Sequence, residues 1–355
     1  MHREVPMYHM MRISLLIAVA GAVVGGFSPS GAGDPTPKLI TEHFLIDASD
    51  PGIKLYIRNK RPEEMTEFKS EKTLLFVHGA SQPAEGTFDL PLEGLSWMDY
   101  IARCGWDVYL VDVRGYGGST RPPEMDQPAA NNPPIATTDV AVRDFTSAVD
   151  FIMRRRSLPK INLMGWSWGT VITAAYAANH PDKVERLVLF GPPWVRAAPP
   201  APSSRPLGAY IETPMSRSRE RMQAGAPEDK KNELMPSSRF EAWSSAVLAT
   251  DPLGSKQNPP VLRSPSGVFQ DNRDYWDAGK PYYDPAKINA ATLIIVAEWD
   301  YRVPDAQELF RKLPSRIEKR LVQIGEGTHL VMLEKNRLQL FEEVQFFLDR
   351  ARLTN

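Results

Sequence analysis

The 355-residue sequence has a single cysteine, Cys104, which excludes an intrachain disulfide and any zinc site built on cysteine ligands. It also lacks an excess of either charge: 42 Lys and Arg stand against 43 Asp and Glu, and no Lys/Arg run marks a local patch. Nucleic acid is therefore not the expected partner. Neither a G-x-x-x-x-G-K-[ST] loop nor an H-E-x-x-H helix occurs, so phosphate-loop and zinc-protease chemistry have no support. There is no internal repeat and no long low-complexity tract. What is present is the composition of a globular chain, 42% hydrophobic and 24% charged, long enough for a sizeable core in one large domain or two ordinary ones.

Residues 13–24 (ISLLIAVAGAVV) form an uncharged, mostly apolar run of 12 residues, short of the roughly 20 that a spanning helix needs. Arg3 and Arg12 precede it and small residues follow across 28–33. This order predicts a secretory signal peptide over residues 1–32, cut after Ala32 in Ser30-Gly31-Ala32. Met10 or Met11 would serve as an alternative start, giving a more compact basic region. The expected location is exported, periplasmic or secreted, with an uncleaved N-terminal membrane anchor as the alternative. After cleavage no stable membrane span is expected, and the formal net charge becomes −2. Export is compatible with the lack of paired cysteines, because a large core needs no covalent staples.

After a Pro-containing linker, residues 41–46 and 53–58 predict two short strands joined by a Ser-Asp-Pro-Gly turn. Further strands are predicted at 73–77, 107–113, 161–164, 184–190, 291–297 and 319–324, and helices at 97–104, 139–156, 169–179 and about 330–352. On 139–156, Val140, Val142, Phe145, Ala148, Val149 and Ile152 recur at helical spacing. Strands alternating with helices imply an α/β fold: a mostly parallel central sheet, helices on both faces, right-handed crossovers. Residues 191–289 break the alternation, far beyond normal loop length, opening with a Pro-rich stretch and carrying helical pieces near 216–225 and 238–250. They predict a largely helical cap or lid inserted between a first core part, 33–190, and a second, 290–355.

The sharpest chemical signal is Gly165-Trp166-Ser167-Trp168-Gly169, a G-x-S-x-G pentapeptide between a predicted strand and a predicted helix. Such a turn lifts the serine hydroxyl above the sheet edge and aims helix N–H groups at developing negative charge. A serine nucleophile needs a base. Beyond the leader the histidines are His43, His78, His180 and His329. His43 lies in the first strand and His180 in an Asn-His-Pro-Asp turn, whereas His329 follows the last strand and leaves the sheet at its carboxyl edge, as Ser167 does. Asp300, in a loop after strand 291–297, is the preferred carboxylate to orient the imidazole; Glu298 is its competitor. After strand 73–77, His78-Gly79-Ala80-Ser81 suggests a structural histidine and a turn presenting the Ala80 N–H, which with the Trp168 N–H would form an oxyanion hole.

These motifs resemble the alpha/beta-hydrolase superfamily, specifically its capped serine hydrolases of esterase type. Arg114-Gly115-Tyr116-Gly117-Gly118-Ser119, after the strand ending at Val113, is similar to the D-x-R-G-x-G-x-S loop of the same group. The resemblance implies Ser167 as nucleophile, His329 as base, Asp300 as orienting acid, and Ala80 and Trp168 as oxyanion donors. Dehalogenases and epoxide hydrolases of this superfamily carry aspartate at the nucleophile position, so Ser167 points away from them. Relatives often have glycine where this chain has Ala297, a departure that bears on which acid is used. The Gly115-x-Gly117-Gly118 run follows a strand, but Arg121-Pro122-Pro123 prevents the helix a dinucleotide site requires.

The expected activity is hydrolysis of a carboxylic ester of a small or medium-sized molecule through an acyl-enzyme, with no cofactor and no metal, and a small-molecule substrate as the partner. Trp166 and Trp194 are the candidate pocket residues. An aminopeptidase-like amide hydrolase is the first alternative, and it would need carboxylates in the cap to hold a free amine, for which Asp271, Asp274 and Asp277 are candidates beside the simpler reading of a solvated face. A non-catalytic binding protein using the cap pocket is the second.

Overall fold

A computed structural model describes residues 36–196 and 206–350. The expected signal peptide, its cleavage site and part of the Pro-rich stretch lie outside the described residues. In chain order the strands are β1 (Leu39–Asp47), β2 (Lys54–Pro62), β3 (Thr73–Val77), β4 (Asp107–Val111), β5 (Ile161–Trp166), β6 (Val184–Phe190), β7 (Tyr210–Thr213), β8 (Leu262–Pro265), β9 (Ala291–Ala297) and β10 (Lys319–Ile324). Eight of them form one sheet in the order β1-β2-β4-β3-β5-β6-β9-β10. The β1–β2 hairpin and its junction with β4 are antiparallel, and every pair from β4 onward is parallel. This is the mostly parallel α/β sheet expected from the sequence.

The α-helices are α1 (Ala84–Phe88), α2 (Trp97–Arg103), α3 (Thr138–Arg156), α4 (Trp168–Asn179), α5 (Met215–Met222), α6 (Glu228–Leu234), α7 (Ser237–Leu248), α8 (Gly267–Asp271), α9 (Val303–Lys312) and α10 (Arg337–Asp349). Strand side chains alternate between two apolar layers, as the period of two requires. Leu75, Val77, Leu163 and Leu189 join the layer under α3, α4 and α9; Leu74, Phe76, Met164 and Phe190 join the layer under α1, α2 and α10. All eight are fully buried, each contributing roughly 1.5–3 kcal/mol of hydrophobic stabilisation. Local signals set the helix starts: α2 opens with a capping box, the Ser96 hydroxyl accepting the Asp99 N–H at 2.9 Å while the Asp99 carboxylate accepts the Ser96 N–H at 3.2 Å. On α3 the buried stripe runs through Ala141, Phe145, Ala148, Val149 and Ile152, with Val140 and Val142 at its margins.

Two expectations are corrected. The single helix from about 330 to 352 is a 3-10 turn, Val331–Leu333, followed after a break by α10. The break comes from Glu334, whose extended backbone turns a fully buried carboxyl back onto Thr328. The insertion after β6 is helical as expected, but β7 and β8 add a separate antiparallel ribbon. Its buried side chains Met215, Trp243 and Leu262 belong to the same apolar layer as α1 and α10. Among the described residues no helix is long and apolar enough to cross a membrane.

Candidate active site

Ser167 sits between β5 and α4 with φ 53° and ψ −121°, a conformation that costs a non-glycine residue about 1–3 kcal/mol. The strain is held from several sides. The Ser167 N–H donates to the Phe190 carbonyl of β6 at 2.8 Å, and its own carbonyl accepts the Thr170 N–H and hydroxyl at 2.9 and 2.6 Å. The flanking glycines are imposed by close approach: a Cβ on Gly165 would lie 2.2 Å from the Gly169 oxygen, and one on Gly169 2.5 Å from the Val77 oxygen. Neither contact leaves room for a side chain.

His329 and Asp300 meet behind this serine. The imidazole Nδ1 lies 2.9 and 3.0 Å from the two Asp300 carboxylate oxygens, and both side chains are essentially buried. The Asp300 carboxylate also accepts the Arg302 N–H at 2.8 Å. On the other side of the ring, Nε2 is buried without a hydrogen-bond partner, while His329 and Ser167 line one cavity. The Trp166 indole N–H donates to the His329 carbonyl at 3.1 Å, so the residue before the serine braces the histidine from below. Glu298 is exposed and its carboxylate accepts the Glu326 N–H at 2.9 Å instead. His43 contacts the Tyr56 hydroxyl and His180 packs on Tyr176, both away from the cavity.

A residue that sequence reasoning missed is Gly191, the first after β6. Its φ is +59°, and a Cβ there would come within 2.8 Å of His329 Cε1 and 3.1 Å of Asp300 Oδ2. The signal was a glycine closing an apolar strand at the reactive sheet edge; its partners are more than a hundred residues away in sequence.

His78 is structural, as expected, and the geometry gives it a task. Its Nδ1 lies 2.7 Å from the Gly79 carbonyl and its Nε2 3.0 Å from the Val113 amide nitrogen. Only the Nδ1–H tautomer satisfies both, donating to Gly79 and accepting from Val113. The Gly79 carbonyl and the Ala80 N–H belong to the same planar peptide, so fixing one fixes the other. The Tyr116 hydroxyl donates to the Ala80 carbonyl at 2.5 Å and holds the following peptide. Burial pushes the His78 pKa down to about 4, with the Gly79 bond pulling weakly the other way. Asp112, first residue of the D-x-R-G-x-G-x-S loop, accepts the Ala84 and Gly118 N–H groups at 2.7 and 3.0 Å, tying α1 to that loop. Among the described residues neither the Ala80 nor the Trp168 N–H donates to another protein group, and both residues line the cavity with Ser167.

The cavity holds about 60 Å³. Its core walls include Trp166, Trp168 and Tyr301, and the insertion supplies Pro193, Arg221, Met222, Val268, Phe269, Asn272 and Trp276. Of the two candidate pocket residues, Trp166 lines this cavity. Trp194 does not: its ring packs on Tyr283 at 5.4 Å and lies outside the lining, because Asp305 accepts its N–H and turns the chain away after Pro193. Asp271, Asp274 and Asp277 also lie outside the lining. Asp271 is buried rather than solvated, accepting the Thr138 N–H and hydroxyl at 2.6 and 2.7 Å. Asp274 bonds Gln270, and Asp277 faces Arg196. Among the described residues no three His, Cys, Asp or Glu side chains gather as metal ligands.

A family model described as the alpha/beta hydrolase fold matches residues 72–336. Over 84 residues the chain is 38% identical to the human protein named Serine hydrolase BPHL, covering 24% of this chain and 25% of that one. Over 244 residues it is 23% identical to Epoxide hydrolase 3 of Siraitia grosvenorii, covering 67% of each. Against several other curated relatives it spans about a third of their length, 35% of a rice protein and 31% of one from Leptolyngbya boryana. Among solved structures, the 2-hydroxy-6-oxo-6-phenylhexa-2,4-dienoate hydrolase of a Rhodococcus species superposes with a TM-score of 0.57 at 16% identity, covering 88% of this chain and all of the other. At that identity the likeness is one of fold.

Proposed function

The chain belongs to the alpha/beta hydrolase fold family, and from that premise we propose that it is a serine hydrolase cleaving carboxylic esters of small or medium-sized molecules through an acyl-enzyme. The observation that carries the reading is the His329–Asp300 pair at 2.9 Å, with a buried, unpartnered Nε2 in the same cavity as the strained Ser167. In this mechanism the Ser167 Oγ attacks the ester carbonyl while His329 Nε2 takes the hydroxyl proton. The resulting oxyanion accepts the Ala80 and Trp168 N–H groups. Collapse breaks the ester C–O bond, and His329 returns the proton to the departing alkoxide, which leaves as an alcohol. A water molecule, deprotonated by His329, then attacks the acyl group, and the acid is released as Ser167 regains its proton. Asp300 holds the Nδ1–H tautomer and stabilises the imidazolium.

Several observations favour ester over the alternatives. Serine at the elbow speaks against epoxide opening, which in this superfamily resembles attack by aspartate. Among the described residues no carboxylate lines the cavity to hold a free amine, which weighs against the aminopeptidase-like reading. A mere binding protein has no need of a strained serine beside an oriented imidazole. We further read residues 191–289 as a cap over the site, and residues 1–32 as an export signal on their basic-then-apolar order alone. The test is labelling with a fluorophosphonate, followed by peptide mapping. The expected result is a single adduct on Ser167 and its loss in Ser167→Ala, with turnover of esters falling by about 10⁴-fold or more. A folded wild-type sample that takes no label, or a Ser167→Ala variant that keeps its activity, would sink the mechanism.

A further inference from the structure

The cavity wall is charged in one sense only. Arg221, at the end of α5, and Arg302, just before α9, both line it, and among the described residues no Asp or Glu does. Neither guanidinium is fully engaged. Arg221 makes no ion pair among the described residues; its Nη2 donates to the neutral Ser81 hydroxyl at 3.0 Å, beside the Ala80 turn. Arg302 gives one Nη1 bond to Asp305 at 2.8 Å, and that carboxylate is shared with the Trp194 N–H at 3.3 Å. Its Nε–H is buried and has no acceptor, although the side chain is only 12% exposed. An orphaned, buried guanidinium N–H is unfavourable, so it asks for a partner. The two arginines reach the cavity from different parts of the chain, one in the insertion and one in the loop of Asp300. Ser167 and His329 line the same cavity.

We propose that the substrate carries a second, unesterified carboxylate, held by Arg221 and Arg302 next to the scissile ester: a short-chain half-ester of a dicarboxylic acid. This rests on the serine-hydrolase reading and names its substrate class. A planar carboxylate matches the guanidinium fork, and a charge-assisted bond in a partly dry site is about twice as strong as a neutral one. The chain joining the two carboxyl groups is short because the guanidiniums and Ser167 line one and the same cavity, so the free carboxylate and the scissile ester must lie close together. The charge also draws in the anionic substrate at low ionic strength.

The experiment compares two chromogenic esters of similar length, the mono(4-nitrophenyl) ester of succinic acid and 4-nitrophenyl pentanoate, in wild type, Arg221→Gln and Arg302→Lys. The expected kcat/KM ratio favours the half-ester by about tenfold or more at low salt, and shrinks as salt is raised. In Arg221→Gln the ratio drops several-fold, and in Arg302→Lys, which keeps the charge but not the fork, by less. A wild-type ratio near one, or a ratio unchanged in both variants, overturns the proposal while continued turnover of the neutral ester leaves the hydrolase reading standing. If neither ester is cleaved the proposal also falls, and fluorophosphonate labelling of Ser167 in the same sample tells whether the hydrolase reading falls with it.

Discussion

The edge of the parallel sheet and the insertion above it are built on different principles. At the sheet edge, main-chain geometry holds the site: Ser167 hangs from the β6 backbone, His78 fixes a peptide plane, and Gly191 is the only residue type that fits against His329. In the insertion, side chains hold side chains. Arg263 and Asp251 form a buried ion pair, 3% and 0% exposed, with three guanidinium contacts to the carboxylate between 2.7 and 3.1 Å from Nε and Nη2. Gln223 at the end of α5 donates to the buried Glu334 at 3.0 Å, and Arg221 to Ser81. The difference assigns the two regions separate work. A backbone-held edge keeps its side chains in register, and a side-chain-held insertion can change its lining without disturbing them.

The sharpest way to break this comparison is to change the edge by one atom. Asp300→Asn leaves shape intact and removes the charge that fixes the His329 tautomer, so kcat should fall by about 10³–10⁴-fold. Glu298→Gln, two residues away and exposed, should change it less than threefold or so, in line with a surface substitution. Steady-state kinetics on one ester decides between them, and a larger loss in the Glu298 variant would move the acid.

The same contrast explains what could be read from the sequence. The central strands 73–77 and 291–297 were legible because burial on both faces favours unbroken apolar runs, and these two, with 184–190 and the edge strand 319–324, match the observed strands residue for residue. Ser167 was legible because the elbow forces Gly165 and Gly169, and His329 because few histidines leave the sheet at its carboxyl edge. Arg221 and Arg302 were not legible as a pair, since nothing local links a helix of the insertion to the loop after β9. The ribbon of β7 and β8 was missed for a similar reason: four-residue strands separated by 48 residues carry no periodic signal. The break before α10 was hidden because a buried glutamate looks, in sequence, like an ordinary helix residue.

In the insertion the expected weak point is the ion pair. Asp251→Ala leaves the Arg263 charge buried beside the Met125 carbonyl, which it already contacts at 2.7 Å, and unpaired charges of this kind destabilise by about 3–5 kcal/mol. Urea denaturation should show that loss. If the two regions are as separable as proposed, an early insertion transition should appear while Ser167 in the remaining folded core still takes a fluorophosphonate. A single cooperative transition that carries the labelling with it would show that edge and insertion stand or fall together.

A smaller effect is expected from His78, where edge geometry depends on a proton being absent. Its folded pKa of about 4 lies below the ordinary histidine value near 6.5, because burial disfavours the cation. Between those values the unfolded chain binds more protons than the folded one, so stability is full above about pH 6.5 and falls as the pH drops toward 4. The loss from this group amounts to roughly 3 kcal/mol across the window. Other buried groups titrate too, Asp112 and Glu334 among them with pKa values raised by burial, and these act in the opposite sense. The comparison with His78→Gln isolates the histidine: the stability gap between wild type and variant should narrow by that amount on going from pH 6.5 to 4. Parallel curves would mean that His78 does not stay neutral, and that the Ala80 N–H is oriented by something other than its tautomer.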